Sequence, residues 1–430
     1  MIIHVVSGGE TLTGIAREYN VNIQDLAADN GLEPNLPLVV GQALAVQIPE
    51  VVHTVQRGET LSRIARQYGT TALELLRNNF KLGGSERIST GATINISYSS
   101  GQKTKSFASN SYAYPYINPS LLRKQLPYLT YFTPFTYGIS ESGGLVYQND
   151  AFMRNAANEY GVKNLLHLST LTENGGFSSE RTTLIFENEV LANALIDEIA
   201  DYASGEGFGG VDVDFEFIKP SEKYDYIRFL QELRLKLNPR GLELFSALAP
   251  KTSDSQSGTL YEGHDYAGIA AAVNYVLLMT YEWGYTYSEP MAVAPINSVA
   301  RVVRYALTRM PSDKIFMGIP TYGYDWVLPH VPGGAGAPSI SPVEAVNLAR
   351  RYGADILYDE TVQAPWFRYA DDDGRLHEVW FEDVRSITAK LALAASFDIY
   401  GIGYWNSMRD FPQNWVTLNA EYNIINFSLQ

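Results

Sequence analysis

The stretch Gly209-Gly210-Val211-Asp212-Val213-Asp214-Phe215-Glu216 places three carboxylates at every second position of an otherwise apolar segment. In a β-strand this spacing puts the carboxylates on one face and the apolar side chains on the other. Carboxylates that are buried side by side resist ionisation, so their pKa values rise. Such clusters are typical of functional sites, and the alternative is an edge strand whose acidic face is solvated. We therefore predict a buried strand that carries acid-base chemistry.

The composition is that of a globular protein with more than one domain. The chain has 430 residues, of which 46% are hydrophobic and 18% charged, and it lacks the ~18 consecutive apolar residues of a membrane span. The absence of cysteine excludes disulfides, thiolate metal sites and a cysteine nucleophile. Residues 1–8 lack the basic and apolar regions of a secretory signal, so we expect none.

The charge and the aromatic content favour a neutral polymer as partner. A net charge of −15 disfavours binding to phosphate backbones, so we expect no nucleic acid partner. Aromatic residues make up 12% of the chain, with 29 tyrosines, and flat rings offer apolar faces to sugars. We expect a monomer that binds a glycan and is not inserted in a membrane.

The first hundred residues contain an internal repeat with a period of 49 residues. His4-Val5-Val6-Ser7-Gly8-Gly9-Glu10-Thr11-Leu12 aligns with His53-Thr54-Val55-Gln56-Arg57-Gly58-Glu59-Thr60-Leu61. Each copy predicts a strand, a helix that begins after Thr11 or Thr60, a second helix near 23–29 or 72–78, and a closing strand after a glycine. Two βααβ modules are predicted, at 1–49 and 50–97.

These modules resemble LysM domains, whose pattern includes a Gly-Glu-Thr-Leu turn, an Ile-Ala pair on the first helix and an Asn after the second. The resemblance implies binding of N-acetylglucosamine-containing glycans, either peptidoglycan or chitin. For the leucines of the pattern the alternative is a core role, and for its glycines a turn role. The residues implicated by position are Gly9, Thr11, Leu12 and Asn30 in the first copy, and Gly58, Thr60, Leu61 and Asn78 in the second.

After a polar connector at 98–103, strands alternate with helices, which is the pattern of a parallel α/β fold. Helices are predicted at 187–203 and at 222–237, the second capped by Ser221. The pattern predicts a (β/α)8 TIM barrel over 104–430, with a small α+β insertion at about 326–385. The eight predicted strands are 104–111, 128–135, 163–169, 210–216, 242–247, 274–280, 315–320 and 400–404.

The stretch at 210–216 resembles the Asp-Gly-x-Asp-x-Asp-x-Glu signature of the family 18 glycoside hydrolases, with Gly209 replacing the first Asp. Three further segments are similar to the family's motifs on strands six, seven and eight. Two LysM-like modules before such a barrel resemble a narrower group, the spore cortex-lytic enzymes. That resemblance implies action on spore-wall peptidoglycan in germination, in the coat–cortex region. The three segments are Met279-Thr280-Tyr281-Glu282, Gly318-Ile319-Pro320-Thr321-Tyr322-Gly323 and Gly403-Tyr404-Trp405.

The resemblance implies a retaining mechanism in which the acetamido oxygen of the substrate attacks the anomeric carbon. By position, Glu216 is expected to protonate the glycosidic oxygen and then to activate water. Asp214 is expected to orient the acetamido N–H and to stabilise its developing positive charge. Asp212 is expected to share a proton with Asp214.

Four further residues are implied to contact the substrate. Tyr281 is expected to hydrogen-bond the acetamido oxygen, and Trp405 to form the floor beneath the sugar. Glu282, which stands where the family has Asp, and Tyr322 are expected to bind substrate as well. The six histidines form no i,i+4 pair, so we expect no metal site, and we expect no cofactor.

Two other functions stay open from the sequence. One is a chitinase-like enzyme, because no residue separates chitin from peptidoglycan, and the other is a non-catalytic glycan-binding protein on the same barrel. The presence of Glu216 favours an enzyme over a lectin. The G-x-G-x-x-G pattern at 205–210 ends a helix and enters a strand, the reverse of a dinucleotide-binding turn. We therefore predict a peptidoglycan hydrolase that cleaves N-acetylglucosaminyl linkages.

Overall fold

The computed structural model describes residues 1–99 and 103–427, and most of the second range forms a closed barrel of parallel strands. Each strand pairs with its neighbours along the chain, and the eighth pairs with the first. This arrangement confirms the predicted TIM barrel and all eight predicted strands. Their bounds are Ser106–Ala113, Tyr131–Pro134, Lys163–Leu171, Gly210–Asp214, Glu243–Leu248, Tyr275–Leu278, Ile315–Pro320 and Gly401–Trp405.

Amphipathic helices surround the barrel and cover its apolar outer face. The helix predicted at 222–237 is Lys223–Leu237, but Glu222 occupies its N-cap position and Ser221 lies in the preceding 3-10 turn. The predicted cap at Ser221 is therefore wrong, because the turn moves the first helical residue onward. The other α-helices around the barrel are Pro119–Gln125, Ala151–Glu159, Glu180–Phe186, Glu189–Gly205, Tyr266–Ala272, Ile296–Leu307, Val384–Ser396 and Pro412–Glu421.

The insertion is an antiparallel sheet with one helix, Pro342–Tyr352, on one of its faces. Two of its strands had been predicted near 356–358 and 377–381, and both are present. Ala364–Ala370, which the sequence analysis missed, lies between them and pairs with both. The strands are Gly323–Leu328, Ser339–Ile340, Leu357–Asp359, Ala364–Ala370 and Leu376–Trp380.

Each N-terminal module pairs its two strands in antiparallel fashion and packs two helices on them. Thr11 and Thr60 are N-caps, and their side chains accept hydrogen bonds from the backbone N–H groups of Gly14 and Arg63. Tyr98 belongs to the last strand of the second module, and residues 100–102 of the predicted connector lie outside the described residues. The strands are Ile2–Val5, Ala43–Val46, Pro49–Thr54 and Thr93–Tyr98, and the helices are Leu12–Glu18, Ile23–Asp29, Leu61–Gln67 and Ala72–Arg77.

The first module is packed against the barrel and the insertion. The Gln413 side chain, on the last barrel helix, donates to Asn30 Oδ1 at 2.9 Å and to the Ala43 carbonyl oxygen at 2.8 Å. The Ile356 backbone N–H of the insertion donates to the Val40 carbonyl oxygen at 2.9 Å. Ala43 is also part of the hydrophobic cluster that contains the barrel core.

The second module contacts the same barrel helix and the neighbouring loops. Asn419 Nδ2 donates to Asn78 Oδ1 at 3.0 Å, and the Tyr128 hydroxyl donates to the Arg77 carbonyl oxygen at 2.8 Å. The two modules also contact each other through an ion pair of 2.6 Å between Lys81 and Asp25. Modules and barrel therefore form one packed body.

A substitution at Gly41, in the turn of the first module that contacts the insertion, tests whether this module is docked. Gly41 has a φ of +79°, and a Cβ added to it would lie 1.8 Å from the Ile356 carbonyl oxygen. Gly91 occupies the equivalent turn of the second module, with a φ of +84° and no atom within 4 Å of an added Cβ. Both alanine variants carry the cost of a left-handed backbone, about 1–2 kcal/mol, but only Gly41→Ala must also displace the insertion. We expect Gly41→Ala to lose about 1–3 kcal/mol more unfolding free energy than Gly91→Ala in urea denaturation. Equal losses would contradict the docking.

Candidate active site

The fourth barrel strand, Gly210–Asp214, carries the acidic pattern into the barrel. Its neighbours are the third and fifth strands, so both of its edges are paired and the solvated edge strand is excluded. Val211, Val213 and Phe215 are fully buried in the main hydrophobic cluster, which also contains the surrounding helices. Asp212 and Asp214 alternate with them and point inward, and Glu216 follows two residues beyond the strand end.

Asp212 is the deepest carboxylate, with 1% of its surface exposed. The Tyr112 hydroxyl donates to its Oδ2 at 2.6 Å. Burial raises the pKa of Asp212 to about 6, although the neighbouring His167 and the Tyr112 hydrogen bond act in the opposite direction. Within the described residues Oδ1 of both Asp212 and Asp214 has no hydrogen-bond donor. A proton shared between these two carboxyl groups would provide the hydrogen bond that both oxygens lack.

Asp214 and Glu216 lie nearer the barrel mouth, where both line a cavity. Burial raises the pKa of Asp214 well above its ordinary range. Burial also raises the pKa of Glu216, and the negative charge of Asp214 raises it further. A glutamate with a raised pKa keeps its proton near neutral pH, which is the state that a general acid requires.

His167, which the sequence analysis did not assign, lies between these carboxylates and a hydroxyl group. It pairs with Asp212 in the strand register, its Nε2 lies 3.5 Å from Asp214 Oδ2, and its Nδ1 lies 2.6 Å from Thr136 Oγ1. Burial lowers the pKa of His167 to about 4, so the ring is neutral at neutral pH. The signal in the sequence was a histidine flanked by leucines in the predicted strand before the one that carries the acids.

The cavity at the barrel mouth has a volume of about 430 Å³, within the range of small-molecule sites. The Trp405 ring lines it, and its centroid lies 5.2 Å from that of Phe135, 5.6 Å from that of Tyr112 and 6.2 Å from that of Tyr114. Tyr281 also lines it and is 9% exposed. The cavity therefore combines apolar ring faces with a few polar groups. Its aromatic lining consists of Tyr112, Tyr114, Phe135, Phe177, Phe217, Tyr261, Tyr281 and Trp405.

Glu282 brings a third carboxylate to the cavity. Tyr322 and Tyr324 donate their hydroxyl groups to it, the latter at 3.0 Å. Burial raises the pKa of Glu282, while the two tyrosine hydrogen bonds lower it. Tyr322 is buried and its hydroxyl is used by Glu282, so the structure gives it a positioning role rather than the substrate contact that had been expected.

Two residues beside the site have backbone conformations that are uncommon for side-chain-bearing residues. Phe217, directly after Glu216, has a φ of +56°, and Glu282 has a φ of +66°. Non-glycine residues in this region cluster at functional sites. Phe217 is 52% exposed and lines the cavity next to the candidate acid. Sequence patterns carry no signal for such a conformation at a phenylalanine.

The residues expected to bind glycan in the first module divide into surface and core positions. Gly9 has a φ of +86° in an exposed turn, and Thr11 caps the following helix. Leu12 is 3% exposed and belongs to the module core. Asn30 is 5% exposed, and its side chain bonds the backbone of Leu26 and Ala45. Leu12 and Asn30 therefore hold the module together, which corrects the expected glycan contact.

The second module repeats this division 49 residues further along the chain, which corrects one assignment. Gly58 lies in an exposed turn with a φ of +84°, Thr60 is a helix cap, and Leu61 is fully buried in the module core. The residue that matches Asn30 is Asn79, whose side chain bonds the backbone of Leu75 and Asn95. Asn78, which had been assigned to this position, instead bonds the Ile96 carbonyl oxygen and accepts from the barrel. The buried Leu61 side chain is likewise not available to a glycan.

A barrel with carboxyl groups of raised pKa at its mouth, beside an aromatic cavity, has the acid and the ring faces that a glycoside hydrolase requires. The chain belongs to the glycosyl hydrolases family 18, whose model matches residues 103–410. The LysM domain model matches residues 4–47 and 53–97. Both resemblances drawn from the sequence are thereby confirmed.

Similar proteins extend over the whole chain. It is 40% identical over 431 residues to a Bacillus subtilis (strain 168) protein named cortical fragment-lytic enzyme, covering 99% of each chain. It is 36% identical over 418 residues to the putative sporulation-specific glycosylase YdhD of the same strain, covering 97% of this chain and 98% of that one. The crystal structure of the Bacillus cereus spore cortex-lytic enzyme SleL matches with a TM-score of 0.84 at 36% identity, covering 99% of both chains. These similarities confirm the resemblance to spore cortex-lytic enzymes.

One finding bears on membranes: among the helices of the described residues, none combines the length and the apolar character needed to cross a bilayer.

The coupling between Asp214 and Glu216 gives a pH prediction. Replacing Asp214 by Asn removes a negative charge beside Glu216, so less work is needed to ionise Glu216 and its pKa falls. We expect the Glu216 carboxyl resonance in ¹³C NMR to titrate well above the ordinary Glu value of about 4.3, and at lower pH in Asp214→Asn. Glu187→Gln, an exposed change, is the control. A Glu216 titration that does not move in Asp214→Asn would show that the two groups are not coupled.

Proposed function

We propose that the protein is an N-acetylglucosaminidase of spore cortex peptidoglycan that acts in germination. The observation that carries the proposal is the pair Asp214 and Glu216, partly buried at the mouth of an aromatic cavity, with raised pKa values. The substrate is proposed from the names of relatives that match the whole chain. We further propose that it acts as a monomer in the coat–cortex region.

Bond cleavage begins with proton transfer from Glu216 to the glycosidic oxygen. The acetamido oxygen of the same sugar attacks the anomeric carbon, so that an oxazolinium ion forms and the leaving sugar departs with the Glu216 proton. Asp214 stabilises the positive charge that develops on the acetamido nitrogen. Asp214 lines the cavity beside Glu216 and is therefore within reach of a sugar bound there.

The surrounding groups position the acetamido group during this step. Burial raises the pKa of Tyr281 well above its ordinary value, so its hydroxyl keeps the proton and can donate to the acetamido oxygen. Trp405 offers a ring face beneath the sugar. Asp212, held by the Tyr112 hydroxyl, shares a proton with Asp214 and limits charge repulsion in the resting enzyme.

The second step returns the site to its first state. Glu216, now ionised, takes a proton from a water molecule, which attacks the anomeric carbon and opens the oxazolinium ring. Two inversions at this carbon give net retention of configuration. Glu282 lines the same cavity, and we propose that it binds a hydroxyl group of the sugar while Tyr322 and Tyr324 hold it in place.

The LysM modules are proposed to bind the same polymer through their exposed turns at Gly9 with Thr11 and at Gly58 with Thr60. Two binding modules on one chain increase the effective concentration of the cleft at a repetitive glycan. Since the modules are packed on the barrel, this effect comes from fixed positions and not from a flexible tether.

Replacement of the acid tests both parts of the proposal. We expect Glu216→Gln to lower turnover of cortex fragments by about a thousand-fold or more, because protonation of the leaving oxygen and activation of the attacking water are both lost. Binding to insoluble peptidoglycan, measured by sedimentation, should be retained. Glu187→Gln, on an exposed helix end, is the matched control and should retain full activity.

Product analysis decides the reaction class. Mass spectrometry of the fragments should show N-acetylglucosamine at the new reducing end, and NMR should show the β-anomer as first product. Muramic acid at the reducing end, or an active Glu216→Gln, would contradict the proposal. Chitin oligomers serve as a parallel substrate, and faster turnover of these than of cortex fragments would favour a chitinase.

A further inference from the structure

A second concave surface adjoins the catalytic cavity. It is lined by hydroxyl side chains of the loop at 252–257, together with Gln256, Trp283 and Arg301, and has a volume of about 450 Å³. Pro250 and Tyr261 line both this serine-rich groove and the catalytic cavity, so the two are contiguous. A polymer in the cavity can therefore place a substituent in the groove.

The two surfaces differ in charge. The catalytic cavity has three carboxylates, Asp214, Glu216 and Glu282, and among the described residues that line it none is basic. The serine-rich groove has no acidic lining residue among those described, and it contains one cation, Arg301. An anionic substituent finds no cationic partner in the cavity and is attracted to Arg301 in the groove.

The Arg301 side chain has no acidic partner of its own. One of its terminal nitrogens donates to Ser298 Oγ at 3.1 Å, and within residues 1–99 and 103–427 no carboxylate oxygen lies within 4.0 Å of its guanidinium. The side chain lies on the helix Ile296–Leu307 and its residue is exposed. A guanidinium in this state offers several N–H donors to a carboxylate.

The loop that forms the groove is held in place, and its one acid, Asp254, is paired with residues other than Arg301. Asp254 is engaged by the Tyr305 hydroxyl and by Arg309. Gln256 Oε1 accepts from the Thr252 backbone N–H at 2.8 Å, which fixes the loop end. The hydroxyl groups beside Asp254 thus remain as neutral donors and acceptors next to Arg301.

From this charge pattern we infer that the serine-rich groove binds the carboxylate-bearing substituent of the sugar adjoining the cleaved bond. The inference rests on the proposed function, because in peptidoglycan a neutral N-acetylglucosamine alternates with a sugar that bears a lactyl group or a peptide. The neutral sugar occupies the acidic cavity. The substituent of the next sugar reaches Arg301, with the loop hydroxyl groups contacting its amide and carbonyl groups.

The experiment compares Arg301→Gln with Arg304→Gln, one turn further along the same helix. Arg304 lies over the Phe397 ring at 5.7 Å and is not part of the groove. The substrates are three forms of one peptidoglycan tetrasaccharide: lactyl carboxylates free, the same groups converted to methylamides, and the same groups bearing peptide stems. We expect Arg301→Gln to lower kcat/KM about ten-fold for the form that places a carboxylate in the groove, as for the loss of one charge-assisted hydrogen bond.

The methylamide form should be turned over equally by Arg301→Gln and the unmodified protein, and Arg304→Gln should match the unmodified protein on all three forms. A loss confined to the free lactyl form identifies the lactyl carboxylate, and one confined to the stem-bearing form identifies a stem carboxylate. Equal effects of Arg301→Gln on all forms, or none, would overturn the inference.

Binding separates this result from a failure of the proposed reaction. Calorimetry with the same ligands in a Glu216→Gln background measures the groove without turnover. If the unmodified protein cleaves no form, the proposed function fails. Weaker binding of the carboxylate form in Arg301→Gln would still support the groove, and unchanged binding would reject it.

Discussion

Removal of water from the carboxylates of the fourth strand is the constraint on which the site depends. The strand is paired on both edges, and its outward side chains, Val211, Val213 and Phe215, are fully buried. Because side chains alternate along a strand, this packing forces Asp212 and Asp214 inward, and a shift of one residue would reverse every side chain. The hydrophobic core thus fixes where the charges lie, and their burial in turn raises the pKa of Glu216.

The polar groups around these carboxylates come from other strands. Gly209 stands where the family signature has its first Asp, and a Cβ added there would lie 2.9 Å from Lys163 Cβ. A larger side chain at this position must therefore displace Lys163. The carboxylate pair instead receives polar contacts from the third strand, through His167, and from the first strand, through Tyr112. Closing the barrel brings these distant segments together.

Sequence patterns predicted the elements that depend on local periodicity. They failed for residues whose role is set by contacts with distant parts of the chain. The eight strands, the two modules and the acidic face follow from side-chain spacing, which the chain carries locally. His167 was missed because its partners, Thr136 and Asp214, are remote in sequence. The assignment of Asn78 failed for a different reason: the 49-residue period places the equivalent of Asn30 at Asn79, whose hydrogen bonds to the Asn95 backbone confirm the equivalence.

The buried polar residues of the modules also hold the modules against the barrel. Modules on a flexible tether would not need such contacts. Asn30 Oδ1 accepts from both the Ala45 backbone and Gln413, so one side chain fixes the module fold and its contact with the barrel. Asn78 makes a similar contact with Asn419 on the same barrel helix, Pro412–Glu421. That helix therefore holds both modules against the barrel whose last strand ends at Trp405. Because both modules are fixed on the barrel in this way, the fold itself sets the positions of their exposed turns relative to the cleft.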